Sequence, residues 1–141
     1  MSDFKQLKVW QRAHGVALAV YRSTGTFPPL ERFGLVSQMR RAAQSVSANI
    51  AESCGRYGDR DQARLLQIAK GSAKEVECHL LLARDLGFLD ASECRSIGAS
   101  VVEVQRMLSP MIRNARGGTS HRNAKASSSL PSPVFRLPAA Q

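Results

Sequence analysis

The recurrence of apolar residues every three or four positions governs what this chain can fold into. It persists through four long segments, and no sustained period-two alternation interrupts it. Such spacing puts one apolar stripe on a helix and gives a sheet no continuous face to bury. In the first segment, about Phe4 to Thr24, Val9, Ala13, Val16 and Val20 form one stripe, and Leu7, Trp10, His14, Ala17 and Tyr21 form another beside it. Two adjoining stripes predict a helix covered on more than one side. The second segment, about Leu30 to Arg56, carries Leu35, Met39, Ala42, Val46, Ile50 and Ser53. The third carries Leu65, Leu66, Ala69, Ala73, Val76, Leu80 and Ala83. In the fourth, Ile97, Val101, Val104, Leu108 and Ile112 keep a nearly strict heptad, which suits the seam of a left-handed bundle.

Local signals set the ends. Gly25 and the run Phe27-Pro28-Pro29 close the first segment. Pro29 suits the first turn of the second, where Glu31 complements the positive end of the helix dipole. Asp59 with Gln62, and Asp90 with Glu93, have capping-box spacing. Gly87 is the predicted stop of the third segment. Gly71 should cost about 1 kcal/mol against alanine in mid-helix, so it is expected to mark a close-packing point. Pro110 cannot bond the carbonyl of Arg106, which predicts a kink or a restart.

Four helices joined by short connections pack as antiparallel neighbours. The predicted fold is therefore all-α, an up-down-up-down four-helix bundle over residues 1–116. With 141 residues, 43% hydrophobic and 22% charged, the chain can bury one core of its own and is not a wholly disordered polymer. After Arg116 the composition turns to Gly, Ser, Pro and Ala. Residues 117–141 are expected to form a flexible basic tail, either free or laid along a neighbouring subunit through Val134, Phe135 and Leu137. No stretch approaches the roughly 20 apolar residues of a spanning helix. The N-terminus carries charge where a signal peptide is apolar, and the three cysteines are odd in number and far apart. A cytoplasmic protein with reduced thiols and no membrane partner is the expectation.

Charge is the one unusual bulk property. Lys and Arg number 20 against 11 Asp and Glu, a net +9. The tail holds Arg122, Lys125 and Arg136 and no acid, so the body keeps 17 bases against 11 acids and is basic by itself. Such a surface favours polyanions, nucleic acid above all. Lys5, Lys8 and Arg12 line one side of the first helix, Arg40 and Arg41 form a doublet, and Arg56, Arg60 and Arg64 cluster about the second connection. These eight are the candidate phosphate contacts. Aromatic residues make up only 6%, so stacking platforms are scarce, and binding is expected to be backbone-directed, shape-reading and salt-dependent. Gln38, Arg41, Ser45, Asn49 and Glu52 fall on one strip beside the core stripe of the second helix. Its serines and asparagine point to a partly buried polar seam between helices or between subunits rather than to a solvated face, with Arg41 placed to meet acids from another helix.

Catalytic and metal signatures are missing from the sequence. There is no Glu-x-x-His pair of the kind that holds di-iron in bundles. His14 and His79 fall on core-side stripes and are expected to be hydrogen-bonded core imidazoles, while the adjacent Cys78 and His79 point about 100° apart on a helix. No Walker A loop, nucleophile elbow or dinucleotide fingerprint occurs. The chain is expected not to be an enzyme, and no catalytic residue, cofactor, metal or small-molecule substrate is assigned.

Three stretches, FKQLKVWQRA, YRSTGTFPPLERFGLVSQMRRAAQSVSANIAE and LLQIAKGSAKEVE, resemble the bacterial four-helix-bundle family of the 23S rRNA intervening-sequence protein, to which the accessory variability protein of diversity-generating retroelements is related. The resemblance covers about Phe4 to Arg113. Trp10, Phe27, Pro28, Phe33, Gly34 and Leu35 match its structural signature. Gln38, Arg40, Arg41, Ser45, Asn49, Ile50, Ala51 and Glu52 match its central motif, and Lys70, Gly71, Ser72 and Glu75 its third-helix motif. Ser53 stands where the family usually has Gly, and Arg64-Leu65 where it often has Phe. The resemblance implies a ring-like homopentamer with a basic surface, nucleic-acid binding in some members and no known catalysis. The functional expectation is a non-enzymatic oligomeric bundle that binds RNA or DNA through the phosphate backbone. The alternative is an oligomeric scaffold that binds an acidic protein and no nucleic acid.

Overall fold

The computed structural model describes residues 3–56 and 58–123, with residues 118–123 as backbone only. It has four α-helices: α1 (Lys8–Thr24), α2 (Leu35–Cys54), α3 (Asp59–Asp85) and α4 (Ala91–Asn123). No strand occurs among the described residues. Each helix packs on the next and α4 returns to α1, which closes an up-and-down four-helix bundle. Its core contains Met39 and Ile50 of α2, Leu66 and Leu80 of α3, and Leu108 of α4, all fully buried. The whole heptad stripe of α4, Ile97 to Ile112, is buried as its spacing required. So are the α2 residues from Leu35 to Ser53 that the helical period selects.

The first segment departs from expectation at its start. Leu7 is extended (φ −74°, ψ 126°), so a 3₁₀ turn at Phe4–Gln6 precedes α1 rather than continuing it. Asp3 caps that turn by accepting from the Lys5 N–H at 3.1 Å. Of the two stripes, only the valine-rich one enters the core. Trp10 lies at its edge, flanked by Phe4 (5.1 Å between ring centroids) and by His14, which stacks on it at 4.8 Å. His14 is exposed, so it is not a core imidazole. His79 is half-buried, yet its Nδ1 is buried without a hydrogen-bond partner, and Nε2 lies 4.0 Å from Glu75. Neither histidine is the satisfied core group that the stripe assignment predicts.

The second segment also begins later. Pro29–Glu31 forms a separate 3₁₀ turn, and the non-helical backbone at Gly34 (φ −105°, ψ −111°) delays α2 to Leu35. Glu31 still serves the dipole, because its Oε2 accepts from the Leu35 N–H at 3.4 Å. The same turn holds Leu30 and Phe33 away from the core, 95% and 87% exposed.

The other ends show which caps the chain uses. The N-cap of α3 is Gly58, and Asp59 is the first helical residue, so the predicted Asp59 cap is not made. Asp59 and Asp61 still place negative charge in the first turn. Gly87, at φ 78°, ends α3 in a Schellman motif: Phe88 N–H bonds the Ala83 carbonyl at 2.9 Å, and Gly87 N–H bonds the Arg84 carbonyl at 3.0 Å. This turn sets Phe88 against Phe27, with centroids 5.6 Å apart, so the α1–α2 and α3–α4 connections meet at one end of the bundle. At the start of α4, Asp90 Oδ1 accepts from the Glu93 N–H at 2.7 Å. The Glu93 carboxylate then accepts from Ser23 Oγ on α1 instead of returning to Asp90.

Of the expectations for the helix interiors, the restart at Pro110 and the packing role of Gly71 are corrected. Helix α4 runs through Pro110 without a restart and continues past Arg116 to Asn123. Packing of the buried Leu108 and Ile112 on either side outweighs the one bond that proline removes. Gly71 is exposed, with open space where a Cβ would stand, so it is no packing point within the chain. Residues 124–141, including Val134, Phe135 and Leu137, lie outside the described residues.

Glu77 ties α3 to α4, accepting from Gln105 Nε2 at 2.9 Å and from Lys74 Nζ at 3.3 Å. The Gln105 bond chiefly, helped by Lys74 and opposed by desolvation, holds its carboxyl below the usual range. A depressed folded pKa stabilises the fold above the unfolded value, and that stabilisation is lost as pH falls through the folded one. The variant Glu77→Gln is therefore expected to lose less stability than wild type between neutral and acidic pH, read by urea unfolding. In the same assay at neutral pH, Leu108→Ala should cost about 2–5 kcal/mol, and Gly71→Ala should gain about 1 kcal/mol or less.

Candidate nucleic-acid interface

The bundle topology brings the start of α1, the α2–α3 connection and the late part of α4 to the end opposite the Phe27–Phe88 contact. Lys5, Lys8, Arg56, Arg60, Arg64, Arg113 and Arg116 therefore gather there, seven cations against Asp3, Glu52, Asp59 and Asp61. The eight nominated residues are not equivalent. Four are paired with acids: Lys5 with Asp3 (3.6 Å), Arg12 with Glu103 of α4 (2.7 Å), Arg56 with Glu52 (2.8 Å) and Arg64 with Asp61 (3.6 Å). The Glu52 carboxylate accepts a hydrogen bond from Arg56 and raises the pKa of its guanidinium. Such exposed pairs are weak, so a phosphate can compete for these cations at small cost.

Arg40 has a structural role. Its Nε donates to Thr24 Oγ1 at 3.0 Å and its Nη2 to the Tyr21 carbonyl at 3.3 Å, while the guanidinium lies 4.5 Å from the Tyr21 ring centre. It satisfies the C-terminal end of α1 from α2, where a cation complements the dipole. Arg41 is exposed and bonds Gln38 of its own helix at 2.8 Å, not an acid from another helix. Lys8 and Arg60 are exposed and have no ion pair among the described residues.

The polar strip of α2 divides in the same way. Ser45 Oγ meets Ser72 Oγ of α3 at 2.8 Å, and Asn49 Nδ2 donates to the Ser45 carbonyl (2.8 Å) and Oγ (3.1 Å). Ser45 and Asn49 are half-buried and belong to an α2–α3 seam, whereas Gln38, Arg41 and Glu52 are exposed. Ser53 is buried and donates to the Ile50 carbonyl of its own helix at 2.6 Å.

Sequence reasoning missed a groove between α3 and α4. It encloses about 440 Å³, with Leu80, Leu81, Ala99 and Val102 along its floor and Arg84, Arg95 and Arg106 among its lining residues. Arg84 is paired with Asp85 at 3.0 Å. Arg95 and Arg106 have no acid partner among the described residues. The exposed Leu30 and Phe33 were also missed, because a helical reading of residues 30–34 gives both a place on a helix face. The doublet Pro28-Pro29 ahead of them was the available signal for a separate turn.

An all-α up-and-down bundle with charge gathered at one end, and with no cluster of three or more metal-ligating side chains among the described residues, is the class that these features define. The chain belongs to the 23S rRNA-intervening sequence protein family, which it matches over residues 5–110. Among solved structures it is similar to a protein with unknown function from the S23 ribosomal protein family of Bacteroides thetaiotaomicron VPI-5482, at 23% identity over 74% of this chain and 97% of that one, with a TM-score of 0.67. No curated protein matches the chain.

Because the α2–α3 seam is closed by Ser45 and Ser72, Ser72→Ala is expected to lower folding stability by about 1 kcal/mol. Asn49 bonds only its own helix, so Asn49→Leu should shift it by less. Thermal unfolding of both variants checks the order.

Proposed function

We propose that the protein is a non-enzymatic homo-oligomer, a pentamer by the family resemblance, that binds RNA or DNA through the phosphate backbone. The observation that carries this reading is the basic end of the bundle, where Lys8 and Arg60 have no ion pair among the described residues and Lys5, Arg56 and Arg64 are held only by exposed pairs. Phosphate contacts position a protein without reading sequence. That chemistry suits a surface rich in Arg and Lys and poor in exposed aromatic rings. No helix among the described residues is long and apolar enough to cross a membrane. All three cysteines are free, which fits a reducing, cytoplasmic setting.

Of the eight nominated residues, Arg40 is set aside as a helix clamp, and Arg12 is the least available because it bridges α1 to α4. Lys8 and Arg60 are the principal contacts, with Lys5, Arg56, Arg64 and Arg41 supplementary. Fluorescence anisotropy with duplex RNA and duplex DNA over a salt series tests the reading. Affinity should fall steeply with salt, each phosphate contact adding about 0.9 to the log–log slope. Joint replacement by Lys8→Glu and Arg60→Glu should weaken binding at least about tenfold, while Arg12→Ala should change it little. Absence of binding at low salt would reject this reading in favour of a scaffold for an acidic protein.

A further inference from the structure

The two most exposed large apolar side chains of the described structure sit in the α1–α2 connection, and its groove lies between α3 and α4. Leu30 and Phe33 project from the turn that joins α1 to α2, 95% and 87% exposed. The groove is walled by the part of α3 before the α3–α4 connection and the part of α4 after it. In the up-and-down order the α1–α2 and α3–α4 helix pairs occupy opposite flanks. The Phe27–Phe88 contact puts both connections at the same end, so the projection and the groove stand near the same height along the helix axes.

From this placement we propose that Leu30 and Phe33 of one copy of the chain seat in the α3–α4 groove of the next. A groove of about 440 Å³ floored by Leu81, Ala99 and Val102 accepts an aromatic and an aliphatic side chain. An exposed phenylalanine and leucine gain by burial, since the hydrophobic driving force grows with the apolar area removed from water. Charge is complementary as well. Glu31 lies between the two apolar residues of the projection, and Arg95 and Arg106 line the groove without an acid partner among the described residues.

A contact between two different patches is heterologous: it closes into a ring or runs on as a filament, according to the displacement per copy. Two patches at one height give little rise along the helix axes, which favours a closed ring with those axes parallel to the ring axis. Every copy then turns its basic end to the same face. The inference rests on the oligomeric reading above and assigns the surfaces that produce it.

The test uses two variants, Phe33→Asp and Ala99→Arg, with light scattering after size exclusion and circular dichroism to confirm the helical fold. Both substitutions fall at exposed positions. Each variant alone is expected to drop from the wild-type oligomer to the single-chain mass. Mixed in equal amounts they should recover twice the chain mass and no more, because one intact projection then meets one intact groove. A monomeric wild type would overturn the oligomeric reading itself. An oligomeric wild type with either variant still fully assembled would overturn this inference alone and leave the groove to another occupant. Folded monomeric variants that fail to pair on mixing would overturn it in favour of a same-patch contact.

Discussion

Burial of four apolar stripes against one another is the constraint from which the other features follow. Met39, Ile50, Leu66, Leu80 and Leu108 are all but absent from the surface, and no two helices can supply that enclosure alone. A central layer of valines and alanines lets the helices approach closely, which leaves little space in the interior. The few buried polar groups are hydrogen-bonded, Ser53 to its own helix and others across helix junctions. Ser45 with Ser72, Gln105 with Glu77, and Ser23 with Glu93 each join two helices.

The sequence made the helices legible because the 3.6-residue period is strong wherever packing selects it. Val101, Val104 and Leu108 needed nothing but their spacing. Less legible was which of two adjacent stripes faces inward. On α1 the valine stripe and the aromatic stripe carry similar apolar content. Among the described helices α1 packs on α2 and α4 and not on α3, which leaves His14 and Tyr21 exposed and Trp10 half-buried under the Phe4 turn. Helix starts were misplaced for a related reason. Residues 29–34 fit a helical pattern, yet Pro29 holds Pro28 extended and the permissive Gly34 takes a non-helical conformation, so one turn does not join the next.

Candidate contacts were legible as residue types and not as available charges. Arg40 and Arg41 are neighbours in sequence, yet one clamps the end of α1 and the other stays in solvent. Arg56, Arg60 and Arg64 recur every fourth residue, yet Arg56 lies outside both helices, and among the described residues Arg56 and Arg64 are ion-paired whereas Arg60 is not. Pairing of this kind depends on side-chain reach around a turn, which periodicity does not encode. The groove between α3 and α4 was invisible for a different reason, since it is formed by side chains of two helices whose relative placement the period does not encode.

The Glu31 carboxylate has a consequence for how a surface projection is held. By accepting the first amide of α2, it fixes the turn that carries Leu30 and Phe33 to a rigid rod. The entropy of ordering that protrusion is thus spent during folding, and little remains to be lost when a second body closes over it. A single carboxyl group in this way separates the stiffness of an external contact point from the strength of the interior beneath it.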